Sequence, residues 1–421
     1  MNISTFKAFG NRNYRLYFSG QSISLIGTWM QRTAVYWVVY TKTHSPFMLG
    51  VAMFATQFPS FVFSPLGGVV SDRYHRFRVL LVTQVLSLLQ ATLLTVLVVF
   101  TNYSVMEILV CSVALGTINA FDVPTRQAMV VDFIGNKQDL GNAIALNSSM
   151  ANLARLVGPA LSGIVLTKLG AGTCFLLNAI SFLAVIASLL MMRLPAFVPH
   201  GHAKKVLKEF KEGWKYLKAT PSIGVVILML GFVSLLVLPF ISLLPVYAKV
   251  IFKGNAATFG YLNSAIGLGA IGGAFFLASL KDGANLKKIL FINLLIFATG
   301  LMLFSHLSNL PLSLCFAVLT GFGMMSQTTI SNTIIQTNVS PSMRGRVISY
   351  FAMAFFGMQP IGGLLIGTIS EYIGAPDTLL AEGIAALVIA VCFLPFLRKD
   401  ILREKDEIKL IELEDPAVKA V

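Results

Sequence analysis

Long apolar stretches alternate with short polar turns along the whole chain. The apolar runs fill residues 15–40, 46–71, 78–100, 105–130, 142–168, 173–193, 221–248, 256–280, 286–305, 310–337, 347–370 and 377–397. A helix of about 20 residues crosses the hydrocarbon core of a bilayer, because each residue adds ~1.5 Å. All twelve runs reach that length. A chain in lipid must satisfy its backbone hydrogen bonds internally, so each run is predicted to be a helix. Interior prolines such as Pro59, Pro159 and Pro360 are tolerated in such bundles for the same reason.

The longest polar stretch divides the runs six and six. The predicted organisation is a first six-helix bundle over 1–193, a linker over 194–220, a second bundle over 221–397 and a tail over 398–421. Within the linker, Val206, Leu207, Phe210, Trp214 and Leu217 fall at helical spacing among six lysines, the pattern of an amphipathic helix lying on a membrane surface. The two bundles echo each other. PLGGVVSDRYHRFRVLL in the second run is similar to AIGGAFFLASLKDGANLKKILF in the eighth, and GNAIALNSSMANLARLVGPALSG (141–163) to GRVISYFAMAFFGMQPIGG (345–363). A diverged repeat across a central linker predicts an all-α membrane protein of twelve transmembrane helices, its two six-helix bundles related by a pseudo-twofold axis. Transporters with a midplane site are built this way.

Composition fits: 56% of residues are hydrophobic and 12% charged, against roughly a quarter charged in soluble domains. The net charge of +14 changes meaning once the positions are read. With the N-terminus placed in the cytoplasm, 26 of the 32 lysines and arginines fall in cytoplasmic turns, the linker and the tail, as the positive-inside rule requires. That sets both termini in the cytoplasm and removes nucleic acid as a partner. The polar start MNISTFKAFGNRNYRLYF lacks the pattern of a cleaved signal peptide. Cys111, Cys174, Cys315 and Cys392 lie in separate runs, with neither disulfide nor metal spacing. No phosphate-cradling loop, His-rich cluster or catalytic carboxylate pair is present, so neither an enzyme nor an ATP-driven pump is expected, and no cofactor or metal.

The turn after the second run is dense in charge: Gly68, Asp72, Arg73, His75, Arg76 and Arg78. Gly68-x-x-x-Asp72-Arg73-x-x-Arg76-x-Arg78 resembles the loop signature of the major facilitator superfamily, Gly-x-x-x-Asp-Arg/Lys-x-Gly-Arg-Arg/Lys. It departs from that signature at His75 and Phe77. The resemblance extends over roughly residues 10–400. Phe121-Asp122-Val123-Pro124-Thr125-Arg126-Gln127 and Asn152-Leu153-Ala154-Arg155-Leu156-Val157-Gly158-Pro159 resemble the branch containing macrolide and enterobactin exporters. The resemblance implies that Asp72 contacts the facing half near Gly345 and Arg346 and closes the cytoplasmic side; simple anchoring of a basic turn is the plainer alternative.

A charge at bilayer depth costs ~3 kcal/mol or more, so each such charge is a functional candidate. Arg32 stands past the middle of the first run in GTWMQRTAVYW, where Trp29, Gln31, Arg32 and Tyr36 form a candidate cargo face. The alternative is an Arg locked to a neighbouring helix. Asp122, Arg126 and Arg155 form a candidate charge set for coupling, read first as an Asp122–Arg155 brace between the fourth and fifth helices, with Arg126 competing for Asp122. Asp122 and Glu382 are the only acids expected within the bilayer. Gln57, Asn119, Asn147, Asn263, Gln327 and Gln359 are further cargo-site candidates, each equally suited to binding neighbouring helices together. The resemblance implies that helices 3, 6, 9 and 12 face lipid.

The expected function is secondary transport by alternating access, exporting a small amphipathic, anionic or zwitterionic compound such as a siderophore or drug. An ion gradient, of protons or another ion, would drive it, and a monomer in the bacterial inner membrane is expected. Two alternatives are a lysophospholipid transporter and a multidrug:proton antiporter for cationic drugs. The second is disfavoured because the first helix carries Arg32 where such exporters carry an acid.

Overall fold

The computed structural model describes residues 3–134, 139–193, 206–281 and 283–414. Lys137, Lys204 and the first part of the linker lie outside the described residues, as do the side chains of Val206, Leu207 and Arg398. The helices are α1 (Arg12–Thr43), α2 (Pro46–Arg73), α3 (Arg76–Phe100), α4 (Val105–Phe133), α5 (Leu140–Leu169), α6 (Ala171–Leu190), the linker helix α7 (Val206–Ala219), α8 (Pro221–Ile251), α9 (Ala256–Ala278), α10 (Leu286–Ser305), α11 (Leu310–Asn338), α12 (Arg344–Ile373) and α13 (Ala375–Glu414). No strand occurs among the described residues. Eleven of these helices are long and apolar enough to span a membrane. The other long helix, α1, has 32 residues but carries Gln21, Gln31 and Arg32 in its interior, which lower its mean hydropathy.

The chain ends each helix where local chemistry directs it. Ser45 caps α2 by accepting from Met48 N at 3.3 Å, and Pro46 occupies the first turn, where no N–H is needed. Ser104 and Glu107 form a reciprocal capping box at α4. On α3, Val82, Leu86, Leu89, Leu93, Val96 and Phe100 are exposed at alternating spacings of three and four, a continuous apolar stripe for lipid tails. The last helix does not stop at 397; α13 continues to Glu414.

The two halves have one packing scheme. In the first, α2 packs on α4, α1 on α5 and α6, and α3 on α4 and α6. In the second, α9 packs on α11, α8 on α12 and α13, and α10 on α11 and α13. Moving each helix of the first half seven places along the order gives the second, which is the expected pseudo-twofold. The Gly-Gly echo has the same basis. A side chain at Gly67 would strike the Ala120 carbonyl of α4, and one at Gly273 would meet the Phe322 carbonyl of α11 at 2.9 Å. Gly170 (φ +83°) and Gly374 (φ +85°) make matching turns between α5 and α6 and between α12 and α13, in a region of backbone space open chiefly to glycine.

The halves meet along α5 with α9 and α2 with α12, again images of each other. They meet at the end opposite the Arg-rich α2–α3 turn. A Cβ on Gly163 would lie 3.0 Å from Gly260 Cα and 2.9 Å from the Ala256 carbonyl, and one on Gly50 would strike the Gly363 carbonyl. Around these crossings Trp37 stacks on Phe259 (6.0 Å), and Glu371 Oε2 accepts from Ser45 Oγ (2.8 Å) and Phe47 N (3.1 Å). Toward the basic end the same helices lose cover. Val62, Phe63, Ser64, Pro65 and Leu66 of α2 are consecutively exposed, so no single face of that stretch is packed. Gly68, Gly141 and Gly345 have only open space around them. The bundle is therefore closed at the far end and open at the basic end.

Gly163→Leu is expected to force α5 off α9. A cysteine replacing Trp37 should then react with a membrane-impermeant maleimide at least about tenfold faster, the equivalent of ~1.4 kcal/mol in the opening equilibrium. Gly68→Leu, placed in open space, should leave that rate unchanged.

Candidate cargo site and gate

Arg155, Gly158 and Ser162 recur at spacings of three and four on α5, so they share one face, and that face is laid on α1. A Cβ at Gly158 would meet Trp29 Cβ and, at 3.1 Å, the Ile26 carbonyl. The missing side chain is what lets the helices approach. Ser162 Oγ donates to the Met30 carbonyl at 3.1 Å. The result places two guanidinium groups on one indole: Arg32 lies 5.1 Å from the Trp29 ring centre, and Arg155 lies 5.4 Å from it. The two cations are within electrostatic range of each other. Both are half-buried, and Arg155 Nε is buried without a hydrogen-bond acceptor.

No carboxylate among the described residues forms an ion pair with either arginine. A cation–π contact returns about 0.5–2 kcal/mol, less than the ~3 kcal/mol or more that each charge costs at this depth. Two cations and an aromatic face, together short of negative charge, suit a planar anion that accepts from both guanidiniums and stacks on the ring.

The Asp122–Arg155 brace does not form. Asp122 Oδ1 accepts from Thr83 Oγ1 (2.9 Å) and Gln84 Nε2 (2.6 Å) of α3, while its Oδ2 lies 3.4 Å from Arg126 Nε, one turn along α4. With its charge met by Arg126, Asp122 ties α4 to α3. Arg155 is left to Trp29.

Gln31 turns away from this site. It is 1% exposed; its Nε2 donates to Gln90 Oε1 (3.0 Å), and its Oε1 accepts from Asn178 Nδ2 (2.8 Å). Gln90 Nε2 continues to the Cys111 carbonyl at 3.1 Å, so one chain of amides joins α1, α3, α4 and α6. Tyr36 is buried in the core. Asn263 spends its amide on its own helix at the Phe259 carbonyl (3.0 Å), and Asn147 accepts from Tyr14 Oη (3.1 Å) near the basic end. Gln57 and Gln327 each keep a buried Nε2 without an acceptor, Gln327 being fully buried in α11. Asn119 and Gln359 are half-buried on α4 and α12. Of the predicted residues, Arg32 and Arg155 gather over Trp29, Asp122 pairs with Arg126, and Asp72 pairs with Arg76. Helices 3 and 6 are more than lipid-facing, since their polar residues Thr83, Gln84, Gln90 and Asn178 turn into the bundle.

At the basic end, Arg76 Nη1 reaches Asp132 Oδ2 of α4 and its Nη2 reaches Asp72 Oδ1, both at 3.7 Å. Its Nε donates to the Ser71 carbonyl at 3.3 Å. Arg76 thus clips the α2–α3 turn to α4, while Arg73 and Arg78 stay exposed. Asp72 is 65% exposed, and its ion pair is with Arg76 of its own half, not the expected contact with the facing half near Gly345 and Arg346. The facing residue, Arg346 of α12, is 3.0 Å from Glu212 of α7. Part of the apolar face of the linker helix rests on α12, while Phe210 and Trp214 stay 42% and 53% exposed. Phe210 stacks on Tyr350 of α12 (4.6 Å), Trp214 lies 6.1 Å from the same ring, Tyr350 Oη donates to the Phe210 carbonyl (2.9 Å), and Leu217 is buried. A recess of about 640 Å³ at this end is lined by Asn11, Arg12, Asp132 and Arg193, about 25 Å along α1 from Trp29, and holds none of this chemistry.

A profile of transmembrane secretion effectors matches residues 3–421. The chain belongs to that family, a branch of the major facilitator transporters. It is a multi-pass membrane transporter of small molecules, not an enzyme. It is 26% identical over 385 residues to the staphyloferrin A transporter of Staphylococcus aureus, covering 90% of this chain and 95% of that one. It is 24% identical over 382 residues to the enterobactin exporter EntS of Shigella boydii, covering 90% and 91%. The fold is shared with a bacterial homologue of the human lysosomal transporter Spinster, at a TM-score of 0.71 and 14% identity, over 92% of this chain and 97% of that one.

Replacing Tyr350 with Ala should undock α7. Trypsin cleavage after Lys211 and Lys215 in the folded protein is then expected to accelerate about tenfold or more, because local opening sets the rate of proteolysis. Band-by-band mass analysis of a digestion time course measures it.

Proposed function

We propose that this transporter exports a small amphipathic anion or zwitterion of siderophore type by alternating access across the bacterial inner membrane, with both termini in the cytoplasm. An ion gradient drives it. The observation that carries the reading is the pair of arginines on Trp29 with no ion-paired acid among the described residues. A carboxylate or catecholate supplies the missing charge and accepts bidentate hydrogen bonds, and its flat apolar body covers the indole. Two relatives point the same way, being named for staphyloferrin A and enterobactin. The basic end, where the bundle is open, is the cytoplasmic end under the positive-inside rule, so the site would load from inside. A cationic drug would meet two like charges at Trp29, and like charges brought together in a low-dielectric cavity repel by several kcal/mol, on the order of the affinity itself.

The test is binding followed by Trp fluorescence in the purified protein, with a tricatecholate as probe. Arg32→Ala and Arg155→Ala are each expected to weaken binding at least about tenfold, the scale of a lost charge-assisted hydrogen bond, with melting temperature little changed. Gln31→Ala should show the reverse: unchanged affinity, and stability lower by roughly 1–3 kcal/mol from the unpaired amides it leaves. Wild-type affinity in both arginine variants would end the anion reading.

A further inference from the structure

The acid that this reading leaves unused sits in the second half. Glu382 lies on α13, about 10 Å from the far end of the helix. It is 1% exposed, and neither carboxyl oxygen has a hydrogen-bond partner. Among the described residues no Lys, Arg or His forms an ion pair with it.

Its surroundings give a negative charge nothing to pair with. On one side α13 is pressed onto α10: a Cβ at Gly383 would lie 3.1 Å from Met302 N and 3.2 Å from the Ala298 carbonyl. On the α8 side, Tyr247 is in electrostatic range of both Glu382 and Asp377, but its hydroxyl already donates to the Ser305 carbonyl at 2.6 Å. Polar groups to which Glu382 itself is not hydrogen-bonded lie between Tyr247 and the far surface. Ser305 Oγ lies 3.0 Å from His306 Nδ1, and His306 Nε2 lies 3.1 Å from Asp377 Oδ1, both His306 and Asp377 being exposed. The titratable groups on this side are therefore Tyr247 of α8, His306 just past α10 and Asp377 of α13 itself. Glu371, at the end of α12, is turned to Ser45 and Phe47 of α2. An isolated carboxylate in such a site is far costlier than the neutral acid.

Tyr247 also opens the π-turn of α8. That helix runs regularly over Pro221–Leu236, tightens to a 3-10 turn over Leu238–Leu243 around Pro239, and widens to a π-turn over Tyr247–Ile251. Local breaks of this kind offer alternative hydrogen-bond arrangements at small cost.

We infer that Glu382 is a proton-binding site of the transport cycle, loaded from the far side past His306 and Asp377, whose proton release is coupled to rearrangement of α8 around Tyr247. The inference rests on the export reading and supplies its coupling ion. The proton comes from bulk water on one side and returns to bulk water on the other; the carboxyl O–H is the only bond made and broken.

Infrared difference spectra of the full chain in liposomes, stepped from about pH 5 to about pH 9 to cover the range that burial gives glutamates, test it directly. The wild type is expected to lose a protonated-carboxyl band in that step. Glu382→Gln, which mimics the neutral acid, should lack the band while melting like the wild type, and Glu382→Asp should keep it at a shifted frequency. The same band in Glu382→Gln would overturn the proposal. In proteoliposomes, an imposed pH gradient should speed tricatecholate transport at least about tenfold in the wild type and not at all in Glu382→Gln, with Trp29 quenching unaltered. A gradient response kept by Glu382→Gln also overturns it. If the tricatecholate binds neither protein, the cargo reading fails by itself and the infrared spectra still decide the proton site.

Discussion

Backbone meets backbone at two places between the halves, Gly163 on Gly260 and Gly50 on Gly363, and the rest of the transporter depends on those crossings. They bring α5 to α9 and α2 to α12 so closely that no side chain fits between. In lipid, where the hydrophobic effect does not hold helices together, such close packing is what remains. Because the crossings lie toward one end, the same four helices diverge toward the other, and the exposed run Val62–Leu66 marks where they part. A seal made chiefly by backbone approach, with Trp37 on Phe259 and Ser45 on Glu371 beside it, can also be released with little repacking of a core. Alternating access needs both properties, a tight seal and an inexpensive way to break it.

The charges are divided between the halves. Among the described residues, the first holds two arginines with no acid paired to them, and the second holds a glutamate with no base paired to it. Had they been adjacent they would have neutralised one another, and neither would have needed anything from outside the protein. Kept apart, each is incomplete in a chemically definite way: the arginines lack an anion, and Glu382 as a carboxylate lacks a proton. By contrast, Asp122 is satisfied by Arg126, Thr83 and Gln84, and Gln31 by Gln90 and Asn178. Satisfied groups hold the fold, and on the proposed reading the unsatisfied charges are the ones that take a ligand.

The spans, the repeat and the charged α2–α3 turn were legible because length, hydropathy and the Gly-x-x-x-Asp-Arg spacing are local properties of the chain. Arg32 was legible as a charge in an apolar run. The partner of Arg155 was not, since three acids and bases on neighbouring turns can pair in more than one way, and only the α3 side chains decide it. Gln31 is different: a helix turns about 100° per residue, which places Gln31 about 200° from Trp29 and Arg32 within about 60° of it. The period alone separates them. Gln90 and Asn178 were hidden because their segments read as lipid-facing overall, and a helix can be lipid-facing on one side while its other side closes a buried amide chain. The linker helix was read as membrane-bound for a similar reason, as its apolar stripe specifies that a surface is covered but not which one. Tyr350 is the answer the structure gives.

The irregular turns lie in the second half. α1 and α5 are regular throughout, and they carry Trp29, Arg32 and Arg155. Their counterparts α8 and α12 both contain π-turns, at Tyr247–Ile251 and Met353–Gly357. A cargo site needs its donors fixed, since preorganised groups bind an anion without reorganising first. A moving half needs helices that can change pitch. The π-turn of α8 begins at Tyr247, which is in electrostatic range of the unpaired acid, and that of α12 begins three residues past Tyr350, where α7 is docked. Protonation at one end of the second half and the linker at the other would thus act on the two helices whose regularity is already broken. In that proposed cycle the regular first half would be the template against which they shift.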